Sequence, residues 1–200
     1  MLKGGSEYYS NIIINLSGVS SYKEIEERMN PTLQPLFARR SIRQYAPDPI
    51  PDALINDLLE AAMAAPSAMH KDPWHILVLR SRPGIDQLQA CLPNGKMLAG
   101  AAAALVVCGD LNQAHDRELS FLLQDVSAAM ENILLAASML GLGACWLGIH
   151  PRAERIAAVS RQFCLPEEII PVAGVALGWP GEEKEARTRF NPVQVHVEQW

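Results

Sequence analysis

The chain has 200 residues, 49 % of them hydrophobic and 20 % charged, which suits one domain with a sizeable core and leaves little room for two. Its formal net charge of -5 argues against a surface built to attract nucleic acid or an anionic membrane, although local basic clusters stay open to it. No segment reaches the roughly 18 apolar residues of a membrane helix, and Ile12-Ile13-Ile14 is too short for the apolar block of a secretory signal. The expectation is a cytoplasmic protein with no membrane partner and no nucleic-acid partner. The cysteines, at 91, 108, 145 and 164, are not spaced as a metal-ligand set, and Cys108 and Cys145 lie in apolar runs as small core residues do.

In chain order, residues 1–30 are polar and weakly patterned, an extension with at most a short helix near Tyr22 to Met29. Asn30-Pro31 reads as a helix start, with Asn as cap and Pro at the first helical position, and that helix runs into Arg39-Arg40-Ser41. A second start at Pro51-Asp52 is followed by Leu54, Ile55, Leu58, Leu59, Ala62 and Met63 at helical spacing, with Pro66 as its stop. Trp74 to Leu79 and Ala102 to Cys108 have the length and apolarity of buried strands.

The longest periodic segment is Glu118 to Leu140, apolar on more than one side, which predicts a central helix that also meets a partner subunit. Gly141 and Gly143 end it. Ala144 to Ile149 reads as a strand, Pro151 to Phe163 as a helix and Ile170 to Leu177 as a further strand. From Gly178 the composition turns to Pro, Gly, Glu, Lys and Arg, with Val193, Val195 and Val197 alternating, so an extended tail with a possible edge strand is expected. Alternating helices and buried strands make the fold α/β or α+β, with residues 31–200 as one domain.

The usual catalytic signatures are missing: there is no GxGxxG, no GxxxxGK[ST], no HExxH, no CxxC and no GxSxG. Arg39-Arg40-Ser41-Ile42-Arg43 stands out instead. Three guanidiniums and a hydroxyl within five residues suit a phosphate, whereas the plainer reading is a basic loop paired with carboxylates. A second feature is Ala64 to Trp74, a loop with two prolines between a helix and a strand, read either as a binding loop or as a helix stop before a Trp-anchored strand.

The order Arg39-Arg40-Ser41-Ile42-Arg43, Pro47-Asp48-Pro49-Ile50, Leu58-Leu59-Glu60-Ala61-Ala62, Ala65-Pro66-Ser67, Pro73-Trp74, Gly141-Leu142-Gly143 and Gly178-Trp179-Pro180 resembles the nitroreductase family over about residues 33 to 193. The resemblance implies an α+β fold with a mixed, mainly antiparallel sheet flanked by helices. It also implies a homodimer with shared active sites and the long central helix at the interface, FMN as cofactor, and NADH or NADPH as electron donor to a nitroaromatic, quinone or similar small acceptor. Matched position by position, Arg39 and Ser41 would hold the FMN phosphate and its sugar-like chain with Arg40 alongside, and Arg43 would face the pyrimidine edge of the ring. Lys96 is a second candidate for that edge. Pro66, Ser67, Ala68 and His70 would line the flavin from the other subunit, Leu147 and Gly148 would offer a backbone N–H to the ring, and Arg187 and Arg189 would close over the phosphate.

Two positions depart from the family pattern: His70 stands where Asn is usual and Asp72 where Gln is usual. His70 can still donate and accept as a neutral imidazole, but an ionised Asp72 accepts only and adds negative charge. Rival readings are a flavin-storage protein without turnover, a dehalogenase, flavin-fragmenting enzyme or dehydrogenase on the same scaffold, and a phospholigand-binding module without flavin.

Overall fold

Most of the periodic segments become the expected elements, because the sheet they form is covered by helices on both faces. The computed structural model describes residues 30–200, and these divide into two compact units. The possible helix near Tyr22 to Met29 lies outside the described residues.

The smaller unit holds residues 30–38 and 185–200. Asn30 caps as expected: its side chain accepts from the Thr32 N–H at 3.0 Å, and a 3-10 turn, Pro31–Leu33, leads into α1 (Gln34–Ala38). The N–H of Arg187 donates to the carbonyl of Phe37 at 3.2 Å. The alternating valines do not make an edge strand. Pro192–Gln194 is a 3-10 turn, and Val193, Val195 and Val197 are exposed. Alternation builds a strand only where a neighbour supplies a ladder, and none pairs with this segment among the described residues.

The larger unit, Arg39–Lys184, contains β1 (Tyr45–Ala46), α2 (Asp52–Met63), β2 (Trp74–Leu79), α3 (Arg82–Cys91), β3 (Ala103–Asp110), α4 (Leu119–Met139), β4 (Gly143–Gly148), α5 (Ala153–Gln162) and β5 (Ile169–Pro180). The strand order is β1-β5-β3-β2, with β4 also paired to β5, and every named pairing is antiparallel. The one parallel pairing among the described residues is the isolated bridge from Ser41 to Ala144. The sheet is thus mixed and mainly antiparallel, as expected.

Alternation along β3 divides the core. Ala103, Leu105 and Val107 join Leu58 and Ala62 of α2 and Leu122, Met130 and Ile133 of α4. Ala104, Val106 and Cys108 join Ile85 and Leu88 of α3 and Val159 of α5. Both faces of β3 are therefore dry, which is why its sequence is a continuous apolar run rather than an alternating one.

Two expectations are corrected here. At 21 residues, with a mean hydropathy of 1.2, α4 is long and apolar enough to cross a membrane by length and composition. Its buried face packs on α2 and the sheet, and it carries Asp125 and Glu131, as a core helix can and a lipid-facing one resists. The second correction is α3, which falls between Leu79 and Ala102, where the sequence analysis places no element. Ser81 caps it, accepting from the Gly84 N–H at 3.3 Å, and Pro83 falls in the first turn, where a missing N–H costs nothing.

Candidate functional site

The basic segment is fastened to the sheet at both ends. Ser41 forms the parallel bridge to Ala144, and the N–H of Ile42 donates to the Ala144 carbonyl at 3.0 Å. Tyr45 lies one turn on, its hydroxyl 2.7 Å from the Ile42 carbonyl and 3.1 Å from that of Ala176, one proton serving both. Burial first, then the neighbouring Cys145, holds that phenol well above its usual range, so it remains a donor.

Glu182 and Lys184 close the other side. One Glu182 carboxylate oxygen accepts from the N–H of Arg43 at 2.6 Å and from that of Gln44 at 3.3 Å. Lys184 Nζ is 2.9 Å from the same oxygen and donates to the Ser41 carbonyl at 2.7 Å. The Arg43 N–H is the main reason, and Lys184 the next, that the Glu182 carboxyl ionises below the usual carboxylate range. With a depressed value, this tether is fully made above the ordinary carboxylate pKa and is lost as pH falls through the lowered one. An NMR titration of the Arg43 and Gln44 amides from about pH 7 to about pH 2 should show one shared inflection below about pH 4.3. In Glu182→Gln that inflection should vanish; if it persists, Glu182 is not the tether.

Beside this segment lies a cavity of about 240 Å³. Arg43 forms one wall, Cys145 to Gly148 of β4 another, Asn94, Gly95 and Met97 a third, and Arg155 of α5 the fourth. Among the described residues no Asp or Glu lines it. Burial pushes up the Cys145 thiol, which fits a packed wall rather than a reactive group. Arg155 Nη1 donates to the Gly148 carbonyl at 2.7 Å, while its Nε is buried with no partner among the described residues.

The loop after α2 is held separately. The Ala68 N–H donates to Oδ1 of Asp125, a 5 % exposed carboxylate on α4, at 2.9 Å. The Ser67 hydroxyl donates to the Asp72 carboxylate, and the Asp72 N–H returns to Ser67 Oγ at 3.0 Å. Met69, His70 and Asp72 have φ of 53°, 52° and 47°, a left-handed stretch that non-glycine residues rarely adopt. Asp72, which departs from the family pattern, is thus engaged in holding its own loop.

Of the residues singled out from the sequence, the structure brings Arg43, Leu147 and Gly148 to one cavity. Arg39 lies half-buried with Nε 3.4 Å from Glu131, the carboxylate pairing that the plainer reading of the cluster foresaw. Lys96 is exposed between two lining residues, Gly95 and Met97, without lining the cavity itself. Pro66, Ser67, Ala68 and His70 belong to the other loop, whose Met69 and Lys71 edge a second cavity with His115 and Arg117. Arg187 and Arg189 are exposed in the smaller unit.

Sequence reasoning missed Arg155, Glu182, Lys184 and Asp125. Arg155 did leave a signal. It falls in the first turn of α5, where the helix end is positive and a cation is disfavoured.

A mainly antiparallel sheet with helices on both faces, bearing a basic segment beside a cavity lined by Arg43 and Arg155, defines an α+β class. The chain matches the model described as Nitroreductase family over residues 36–92 and 82–179, and it belongs to that family. An Archaeoglobus fulgidus protein described as an inferred NADH dehydrogenase/NAD(P)H nitroreductase is 43 % identical over 175 residues, covering 86 % of this chain and 100 % of its own. A Parabacteroides distasonis crystal structure of the same description superposes with a TM-score of 0.80 at 34 % identity, covering 86 % of this chain and 100 % of that one. An inferred nitroreductase from Desulfovibrio desulfuricans, solved in complex with FMN, has a TM-score of 0.73 at 31 % identity, covering 86 % of this chain and 99 % of that one.

Proposed function

We propose that this chain is an FMN-dependent oxidoreductase that takes reducing equivalents from NADH or NADPH and passes them, in two half-reactions, to a nitroaromatic, quinone or similar small acceptor. The observation that carries the reading is the cavity lined by Arg43, Arg155 and the Leu147–Gly148 segment of β4, with no carboxylate among its described lining residues. FMN fits such a wall: its phosphate and the pyrimidine edge of its ring both call for cations and N–H donors, which Arg43, Arg155 and the β4 backbone supply there. When bound, FMN supplies the hydride chemistry, so no side chain has to act as nucleophile.

The chain's own residues then bind and orient. Arg39, Arg40 and Ser41 hold the phosphate and its sugar-like chain. The Arg39 contact with Glu131 uses one of its five donors and leaves most of the fork available. Arg43 supplies a cation at the pyrimidine edge, and Leu147 and Gly148 present backbone N–H groups to the ring. Lys96 stands close enough in sequence to the cavity wall to support Arg43. Arg187 and Arg189 are assigned to the phosphate by their place in the family pattern.

The working form is a homodimer with shared active sites, in which α4 meets its counterpart and Pro66, Ser67, Ala68 and His70 reach the partner's flavin. Leu119 and Met139, exposed at the two ends of α4, suit such a face. Residues 31–200 act as one FMN-binding domain behind a 1–30 extension, in the cytoplasm, without a membrane or nucleic-acid partner.

The test is the absorbance spectrum of the purified protein before and after anaerobic NADH or NADPH. Flavin bands that bleach support the reading. Bands that persist with both donors favour storage of the flavin, and no band after reconstitution with FMN sinks the assignment.

A further inference from the structure

A second cavity, which shares no lining residue with the one beside Arg43, lies between two loops that the sheet brings together. β2 starts where antiparallel β3 ends: Trp74 is paired with Gly109, and the Asp110 N–H donates to the Pro73 carbonyl at 2.7 Å. The loop that enters β2 and the loop that leaves β3 therefore run side by side. The cavity is about 370 Å³, edged by Met69 and Lys71 from the first loop and by His115, Asp116 and Arg117 from the second.

Both loops are pinned from behind. The first hangs on the Asp125 carboxylate and on the Ser67–Asp72 pair. In the second, the Asp110 carboxylate accepts from the Asn112 N–H at 2.8 Å and from Gln113 Nε2 at 2.9 Å. Each loop turns left-handed at the cavity, with φ of 53° at Met69 and of 53° and 55° at Asp116 and Arg117. Backbone of this kind is unfavourable for residues with a side chain and persists where the surroundings over-determine it.

The charges around the cavity do not cancel. Asp116 is the one carboxylate among the described lining residues, and it lies 3.4 Å from His115 Nε2. The side chains of Lys71 and Arg117 make no hydrogen bond or ion pair among the described residues. Two cations on the rim of one void favour an oxyanion between them, and the arginine fork suits a phosphate. Met69, 73 % exposed, adds an apolar, polarisable surface beside them. A phosphate joined to a flat base, as in a nucleotide, answers both features.

We propose that this cavity takes the phosphate-bearing, adenylate part of the dinucleotide donor, with Lys71 and Arg117 as the cations that grip it. This rests on the functional reading above, in which residues of the same loop, Pro66 to His70, reach the partner's flavin. The FMN phosphate has its own cations in Arg39 and Arg40, so the Lys71–Arg117 pair serves the second ligand.

The test uses the FMN-loaded protein in anaerobic stopped-flow with NADH, NADPH and N-benzyl-dihydronicotinamide, a donor with the same reactive ring and no phosphate. The readout is the ratio of reduction efficiencies for the phosphorylated and phosphate-free donors, which a general loss of activity does not move. Lys71→Gln and Arg117→Gln are each expected to lower that ratio about threefold and the double variant about tenfold, because exposed charge contacts are modest. Arg117→Lys, which keeps the charge, should retain most of it. Both residues are exposed, and circular dichroism checks the fold; if the double variant does not fold, the single ones are read by the same ratio. Unchanged ratios in a protein that binds FMN would overturn this inference alone, and so would equal losses with charged and neutral donors, which would leave the two residues a part in loop shape only. A preference for para-nitrobenzoate over nitrobenzene that falls in the variants while the donor ratio holds would move the cations to the acceptor and overturn it too. A wild type that binds no FMN would bring down the functional reading and this inference with it.

Discussion

Arg43→Ala is expected to slow reduction of the bound flavin by NADH or NADPH about a hundredfold while changing the dissociation constant of FMN by about threefold or less. The separation of the two effects follows from how the segment is held. Glu182 grips Arg43 through its backbone N–H, and that N–H survives in alanine. The side chain's contact with its own surroundings is a long one, Nη1 to the Ser41 carbonyl at 3.5 Å, so its removal frees nothing else. The substitution deletes a cation at the edge where charge develops and leaves Arg39, Arg40 and Ser41 in place. A preorganised donor aimed at developing charge is worth about 10²–10³ in rate when removed. Anaerobic stopped-flow at the flavin absorbance, with affinity measured in parallel, decides it. An unchanged reduction rate would remove Arg43 from the ring edge, and a large loss of affinity with an ordinary rate would make it a phosphate contact.

The division between what the sequence revealed and what it hid has a physical pattern. Apolar runs of strand length announce themselves, so Trp74 to Leu79 was legible to the residue although β2 is a partly exposed edge strand, and the β5 run lacked only its ends. The central helix was bounded to within a residue at each end, because its apolar positions repeat for 21 residues. The first turn of α3 was hidden because Pro and Gly stop a helix in its interior but not at its start.

The site divides along similar lines. A cluster such as Arg39 to Arg43 is visible because its residues are adjacent. Glu182 and Lys184 are not, since a tail rich in Glu and Lys reads as a solvated run until the fold lays it on the Arg43 backbone. Asp125 was concealed in a helix, with nothing in its spacing to show that one of its oxygens would hold the Ala68 N–H.

The glycines at the end of α4 were read together as helix terminators, and the structure gives them separate tasks. Gly141 has φ +76°, the left-handed geometry that follows a helix, with open space around its missing Cβ. Gly143 is buried in β4, where a Cβ would stand 2.9 Å from Ile42 Cβ and 2.8 Å from Ile42 Cγ2. Ile42 cannot retreat cheaply: its N–H is bonded to Ala144 and its carbonyl to the Tyr45 hydroxyl.

Gly143→Ala is therefore expected to cost about 1–3 kcal/mol of stability, the usual range for overpacking. It should also lower FMN affinity at least about tenfold, because the only way to admit the methyl group is to lift residues 41–43 off β4. Gly141→Ala should cost about 1–2 kcal/mol through its backbone alone and leave FMN affinity near wild type. Urea unfolding and FMN titration of the two variants give the comparison. If Gly143→Ala loses stability yet binds FMN as wild type does, the basic segment does not depend on its seat against β4, and the phosphate role given to Arg39 and Ser41 loses its structural support. If both glycine variants lose FMN alike, the effect is one of global destabilisation, and the close approach at Ile42 has no special part in binding.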